Sequence, residues 1–184
     1  MADINKTLDS SLGSLAGYVA LATVNAKRYD EVNTKIIKYL VEKSNTPGVY
    51  VTLNKPFRTI KSKLQKAGVD TRLIIFIDAV TKTGGVEKSD ECLFIGSPQN
   101  LSDISIAMDQ AIRALPQQKR FVFFDSLSTL LMYNKPGVVA KFIHFLSGRM
   151  RIWKVRGIII SLQKEQDKEL IEELSQFCDA SLEL

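Results

Sequence analysis

Short apolar runs alternate with longer amphipathic stretches along nearly the whole chain. The runs "YVALATV" (18–24), "GVYVTL" (48–53), "LIIFID" (73–78), "CLFIG" (92–96), "RFVFFD" (120–125), "GIIISLQ" (157–163) and "ASLEL" (180–184) are β-branched or aromatic and end at turn formers. They predict seven strands. Between them apolar residues recur at helical spacing. Val32, Ile36, Tyr39 and Leu40 form one stripe, with Asp30 placed to cap its start. "PFRTIKSKLQKAG" opens on a proline and stops at Gly68, the expected punctuation of a helix. Leu101, Ile104, Met108 and Ile112 mark a third helix, which ends before Pro116. "GVVAKFIHFLSGRMRIWKV" is a fourth, and the acidic "KEQDKELIEELSQFC" a fifth.

Strands as apolar as "FVFFD" and "GIIIS" cannot belong to a sheet with one wet face. The alternation therefore predicts a three-layer α/β fold, with a mostly parallel central sheet and helices on both faces. The 184 residues suit a single domain spanning 1–184, with one loop-like excursion at 79–91 around Gly84 and Gly85. Ligands of such sheets bind beyond the carboxyl ends of the strands. That directs attention to residues 25–31, 54–55, 125–128 and 161–163.

Composition narrows the classes. Hydrophobic and charged residues make up 45% and 24% of the chain, ordinary for a globular protein. No apolar run approaches the roughly 18 residues of a membrane span, and the N-terminus lacks the pattern of a signal peptide. A cytoplasmic protein without a membrane partner is the expectation. Two cysteines in apolar settings, Cys92 and Cys178, and a single histidine, His144, give no zinc pattern and predict no metal site. Residues 1–66 carry 11 Lys and Arg against 5 Asp and Glu, whereas residues 163–184 carry 2 against 7. The basic half raises nucleic acid as a partner, but its lysines sit at helical spacing opposite apolar residues, as on a solvated helix face. "RMRIWK" (149–154) mixes cations with the one tryptophan, and packing is favoured there over base stacking.

"RFVFFDSLSTLL" carries the strongest chemical signal: an apolar strand ending in Asp125, followed by Ser126. A Walker B strand has this form, its Asp helping to hold Mg²⁺. Together with "GVYVTLNKPFRTIKSKLQKAGVD", "SPQNLSDISIAM", "RGIIISLQKE" and "FCDASLEL", in that order, it resembles RecA-type P-loop ATPase domains of the archaeal KaiC-like group over residues 15–184. The resemblance implies a RecA-like fold, assembly side by side, and a nucleotide site at the strand tips.

Two departures from the pattern alter the expected function. A Walker A loop needs G-x-x-x-x-G-K-[ST], whose glycines let backbone N–H groups wrap phosphates. Here Asn25, Ala26, Lys27, Arg28, Tyr29, Asp30 and Glu31 stand in its place, with no glycine and two acids at the helix start. After the second strand, where KaiC-like ATPases carry the acid that activates water, stand Asn54 and Lys55, neither of them a general base at neutral pH. Asn25, Lys27, Arg28, Asn54, Lys55, Asp125, Ser126 and Gln163 are thus expected to mark a vestigial nucleotide site, with no catalytic residue and no cofactor. Asp125 is also placed to cap the following turn, and Ser161 and Gln163 to be ordinary strand-end residues. The implied function is that of a pseudo-ATPase: a regulatory or scaffold domain whose partner is another protein, either a second copy or an active RecA/KaiC-like ATPase. The alternatives are an anion or nucleotide binder without hydrolysis, using Asn25, Lys27 and Arg28, and a recombinase-like paralogue that binds DNA.

Overall fold

A computed structural model describes residues 4–43, 45–81, 89–116, 118–164 and 167–184. In chain order the elements are α1 (Ile4–Leu12), β1 (Tyr18–Val24), α2 (Tyr29–Glu42), β2 (Gly48–Thr52), α3 (Phe57–Lys66), β3 (Ile74–Asp78), β4 (Cys92–Phe94), α4 (Leu101–Ala114), β5 (Phe121–Asp125), α5 (Leu127–Tyr133), α6 (Pro136–Ile152), β6 (Arg156–Leu162), α7 (Lys168–Ser175) and β7 (Ala180–Glu183). The seven strands form one sheet in the order β4-β3-β2-β5-β6-β1-β7. Every neighbouring pair is parallel.

Strand alternation sends side chains into two separate cores. On one face Val19, Leu21, Val49, Val51, Val122, Phe124 and Ile159 pack with α4, α6 and α7. On the other Tyr18, Ala20, Tyr50, Phe76, Phe121, Phe123, Ile158 and Ile160 pack with α1, α2 and α3. Both faces being dry explains why the strands read as continuous apolar runs. Among the described residues no helix is long and apolar enough to cross a membrane.

The seven strands and five helices expected from the sequence are all present. The acidic helix is shorter than its periodic stretch, starting at Lys168. Residues 82–88 of the 79–91 excursion, including Gly84 and Gly85, lie outside the described residues. Gly68 does end α3, with φ of +82°, where a side chain would be strained. Two helices were not expected. α1, "INKTLDSSL", has only three apolar anchors, Ile4, Leu8 and Leu12, but all three are buried. Asp9 fastens it to α2, accepting from the Tyr39 hydroxyl at 2.8 Å and from Lys43. α5 has seven residues and is too short for a periodicity to be read.

The cation–tryptophan segment packs, as favoured. Trp153 is buried, its indole N–H donates to Asp109 at 3.3 Å, and Arg149 lies over its ring. Arg120 donates to the carbonyls of Ile112 and Trp153 at 3.0 and 2.9 Å, closing the C-terminal ends of α4 and α6 with one cation. Cys92 is a buried free thiol and Cys178 a half-buried one.

Leu8 is fully buried in a helix the sequence pattern concealed. Leu8→Ala is expected to cost about 2–5 kcal/mol, the range of a core truncation. Ile106→Ala, on the exposed side of α4, should stay within about 0.5 kcal/mol. Urea denaturation of both variants checks this; a neutral Leu8→Ala would mean that α1 contributes nothing to the core.

Candidate functional site

The carboxyl ends of β1, β2 and β5 meet around Asp125. Register sets Thr52 between Asp78 of β3 and Asp125 of β5, so two carboxyl groups flank the tip of β2. Both are buried. Asp78 is satisfied mostly by backbone: it accepts from the N–H groups of Phe57, Val80 and Thr81 at 2.8, 2.7 and 2.9 Å, and from the Thr81 hydroxyl. It thereby fixes the start of α3, a structural role that the sequence reading missed.

Asp125 is satisfied by side chains. Tyr50 in β2 donates to Oδ2 at 2.7 Å, Asn54 donates to Oδ1 at 2.8 Å, and the Tyr29 hydroxyl donates to Oδ1. The amide nitrogen of Asn54 also lies 2.6 Å from the Tyr29 oxygen and 3.2 Å from Ser126 Oγ, and its carbonyl accepts from the Thr129 hydroxyl. Donors to a carboxylate favour its ionised form, but burial opposes them and prevails, pushing Asp125 up to about 8.

The expectation that Asp125 caps the next turn is corrected. The Asp125–Ser126 peptide is cis, and Ser126 is the cap, accepting from Thr129 N–H. Asp30 does not cap α2 either. The helix begins at Tyr29, and Asp30 is its second residue. Its carboxylate takes Lys55 at 2.7 and 2.9 Å and Lys63 at 2.7 Å. Burial would raise Asp30, but the two ammonium groups overcome it and hold the acid below its usual range.

Between β1 and α2 there is one tight turn, Ala26–Arg28, of 3₁₀ form. Its amides are consumed locally. Lys27 N–H donates to the Asn25 side chain at 3.0 Å, Arg28 N–H to the Asn25 carbonyl at 2.9 Å, and Tyr29 N–H to Ala26. Positive φ among the described residues occurs at Asn45, Lys154 and Gly68, none of them in this turn. A phosphate cradle requires several successive N–H groups pointing outward. This turn directs three of them inward.

The structure brings together three of the eight expected residues: Asn54, Asp125 and Ser126. Lys55 lies beside them but is engaged by Asp30. Asn25 serves the turn, Lys27 is exposed, and Arg28 Nε sits 3.7 Å from Glu31. Gln163 is exposed, with its backbone tied to Val24 at 2.9 Å, and it lines a different hollow beside α7 and β7. Ser161 is a buried strand-end residue, 3.1 Å from Ser128 Oγ. Tyr29, Tyr50 and Thr129 complete the cluster, and the sequence reading missed all three. The signal for Tyr29 was its place, in the segment 25–31 that the resemblance sets against the phosphate loop. The cavity left between Tyr29, Tyr50, Asn33, Lys63 and Asp125 measures about 10 Å³. That is room for about one water molecule, whereas small-molecule pockets hold about 300–1,000 Å³. Among the described residues no group of three or more His, Cys, Asp or Glu could hold a metal ion.

Comparison with known structures agrees with this architecture. The chain is similar to the KaiC-like protein PH0186 of the hyperthermophilic archaeon Pyrococcus horikoshii, with a TM-score of 0.69 and 15% identity over 96% of this chain and 76% of that one. It is similar also to the uncharacterised protein PH0321 of Pyrococcus horikoshii, solved in complex with an unknown peptide, with a TM-score of 0.65 and 14% identity over 97% and 82% of the two chains. At such identities the likeness establishes the RecA/KaiC-like fold. No curated protein matches the chain. Residues 25–184 match a single family along their whole length, and the chain belongs to that family of unknown function, DUF7504.

Proposed function

We propose that this RecA/KaiC-like domain neither binds nor hydrolyses ATP and acts in the cytoplasm through contacts with other proteins, as a regulatory or scaffold subunit. One observation carries the reading: Tyr29 and Asn54, which follow β1 and β2 where the resemblance implies the phosphate loop and the catalytic acid, are both hydrogen-bonded to Asp125. A metal-binding carboxylate must be ionised and accessible. Asp125 is buried, saturated with donors and raised to about 8. To admit Mg-ATP the domain would have to break these bonds and open a cavity around a buried, hydrogen-bonded acid. A bound peptide in a protein of similar fold fits a domain whose ligands are polypeptides.

Thermal unfolding with millimolar Mg-ATP tests the reading. A nucleotide at about 100 times its Kd adds about 2.7 kcal/mol, several degrees for a chain of this size. The expected shift is below about 1 °C. A shift of several degrees would overturn the reading and restore a nucleotide binder.

Asp125 gives a second test, through pH. Its folded pKa of about 8 lies above the unfolded value near 3.9. Between those values the folded state holds a proton that the unfolded state has lost. Stability from this group is therefore full below about pH 4, falls through the window, and is gone above about pH 8. Asp125→Asn keeps the shape and cannot ionise. The variant should be more stable than the parent at pH 9, by an amount on the order of a few kcal/mol, and should lose less stability between pH 6 and 9. Denaturant titrations at several pH values check it. An Asp125→Asn variant less stable than the parent at pH 9 would show that Asp125 is kept as a carboxylate.

The third test concerns the keystone phenol. Tyr29→Phe removes one donor from a buried acceptor and should cost about 1–3 kcal/mol, measured by denaturation at pH 7, without conferring a thermal response to Mg-ATP.

A further inference from the structure

α6 presents a line of apolar side chains to solvent. Val138, Phe145 and Ile152 are 46, 51 and 70% exposed, and no described residue covers them. They are spaced by seven residues, close to two helical turns, so they share one side of the helix along about 21 Å. The buried side, formed by Val139, Phe142, Ile143, Leu146 and Met150, is centred roughly a third of a turn away. The line runs between two fastened flanks. Arg149 is paired with Asp109 of α4, and the His144 ring lies 4.7 Å from that of Phe177, just after α7. Gly148 sits on the same side between Phe145 and Ile152, and a Cβ there would meet no atom within 4 Å. The ridge is therefore lowered where another backbone could approach.

Charge sets the chemistry of what could cover it. From Ser126 to Lys164 the chain has seven Lys and Arg and no Asp or Glu, against 25 and 20 in the whole chain. Arg149 and Arg151 are neutralised by Asp109 and Asp179. Lys141, beside Phe145, and Lys135 and Lys154, at the two ends of the line, make no ion pair among the described residues. The α6 of a second copy would bring no carboxylate to Lys135, Lys141 or Lys154, because the helix has no Asp or Glu. A membrane-surface helix turns a broad apolar face outward, whereas this line is one residue wide and the broad face is in the core.

We propose that α6 docks an acidic amphipathic helix of another protein. Its apolar residues, at seven-residue intervals, pack on Val138, Phe145 and Ile152, and its flanking carboxylates reach Lys135, Lys141 and Lys154. The proposal rests on the reading that the domain works through protein contacts, and it names the surface and the class of partner.

The probe is a labelled synthetic heptad peptide with leucine at the seam positions and glutamate on both flanks, compared with its lysine-flanked counterpart in fluorescence anisotropy. The acidic peptide should bind saturably, with a Kd on the order of 10 µM. Binding should weaken at least about tenfold with Phe145→Asp, weaken with Lys141→Glu, and fall as salt rises. The lysine-flanked peptide should not bind. Phe145 is half exposed, so unchanged circular dichroism and melting confirm that its variant is folded. Four results would overturn the proposal: no binding of the acidic peptide, equal binding of both peptides, a dimer that Phe145→Asp dissolves in sedimentation, or binding to anionic phosphatidylserine vesicles that the same variant abolishes. The Mg-ATP melting experiment is independent of this surface. A nucleotide shift together with peptide binding would leave the docking surface standing and remove the non-catalytic reading; the converse pair of results would do the reverse.

Discussion

A parallel sheet buried on both faces has few places to put an acid, and this one ends its central strand in one. Asp125 terminates β5, with β2 and β6 on either side, and is almost completely removed from water. An isolated carboxylate there would be costly, so its neighbours must supply donors. The donors come from three separate parts of the chain: the first residue of α2, the middle of β2, and the loop after β2. Through Thr129, which bonds Asn54, α5 joins as well. One buried acid thus sets where four elements meet. Asp78 shows the alternative: its acceptors are filled by backbone N–H groups close to its own strand and at the start of α3. A carboxyl satisfied by backbone constrains local shape, whereas one satisfied by side chains constrains which side chains may stand there.

The fold was largely legible because its cause is local. Seven apolar runs and five amphipathic stretches become strands and helices once both sheet faces are covered. What escaped were α1 and α5, where too few residues carry the period. The site was legible only in part, for a different reason. Asn54, Asp125 and Ser126 were found because motif order places them at strand tips. Tyr50 reads as one more apolar strand residue, and only register brings its hydroxyl to Asp125. Tyr29 reaches the acid because the turn before α2 is so short, a matter of length rather than residue type. Asp30 looked like a cap, yet α2 starts at Tyr29, so the acid is its second residue and faces two lysines. Where a helix begins by a single residue decides what its first side chains can touch.

The short turn before α2 also bears on the proposed absence of a phosphate site. A Walker A loop is long because it must curl around an anion with its N–H groups outward. In the one 3₁₀ turn between β1 and α2 such groups bond back into the turn, and the first side chain of the helix, Tyr29, reaches Asp125. A phenol there gives Asp125 a permanent partner, and an amide at residue 54 gives it another. Each replacement makes the others less costly to keep, since a buried hydrogen-bonded network is penalised most when half satisfied. The cluster therefore reads as a coherent second solution to burying one acid rather than as scattered damage.

On the proposed reading the domain acts through its surface, and the dimensions of α6 limit how. A helix of 17 residues is about 25 Å long and about 10 Å across, so its outer face offers roughly 250 Å². A stable interface takes about 800 Å² from each partner. The apolar line can thus supply only the dry centre of a contact, with Lys135, Lys141 and Lys154 around it. An interface of that composition draws its specificity and association rate from charge, and its modest apolar centre makes dissociation fast. The surface suits a reversible regulatory encounter better than a permanent subunit boundary, and α6 packs on the face of the sheet opposite the one that carries Tyr50 and α2.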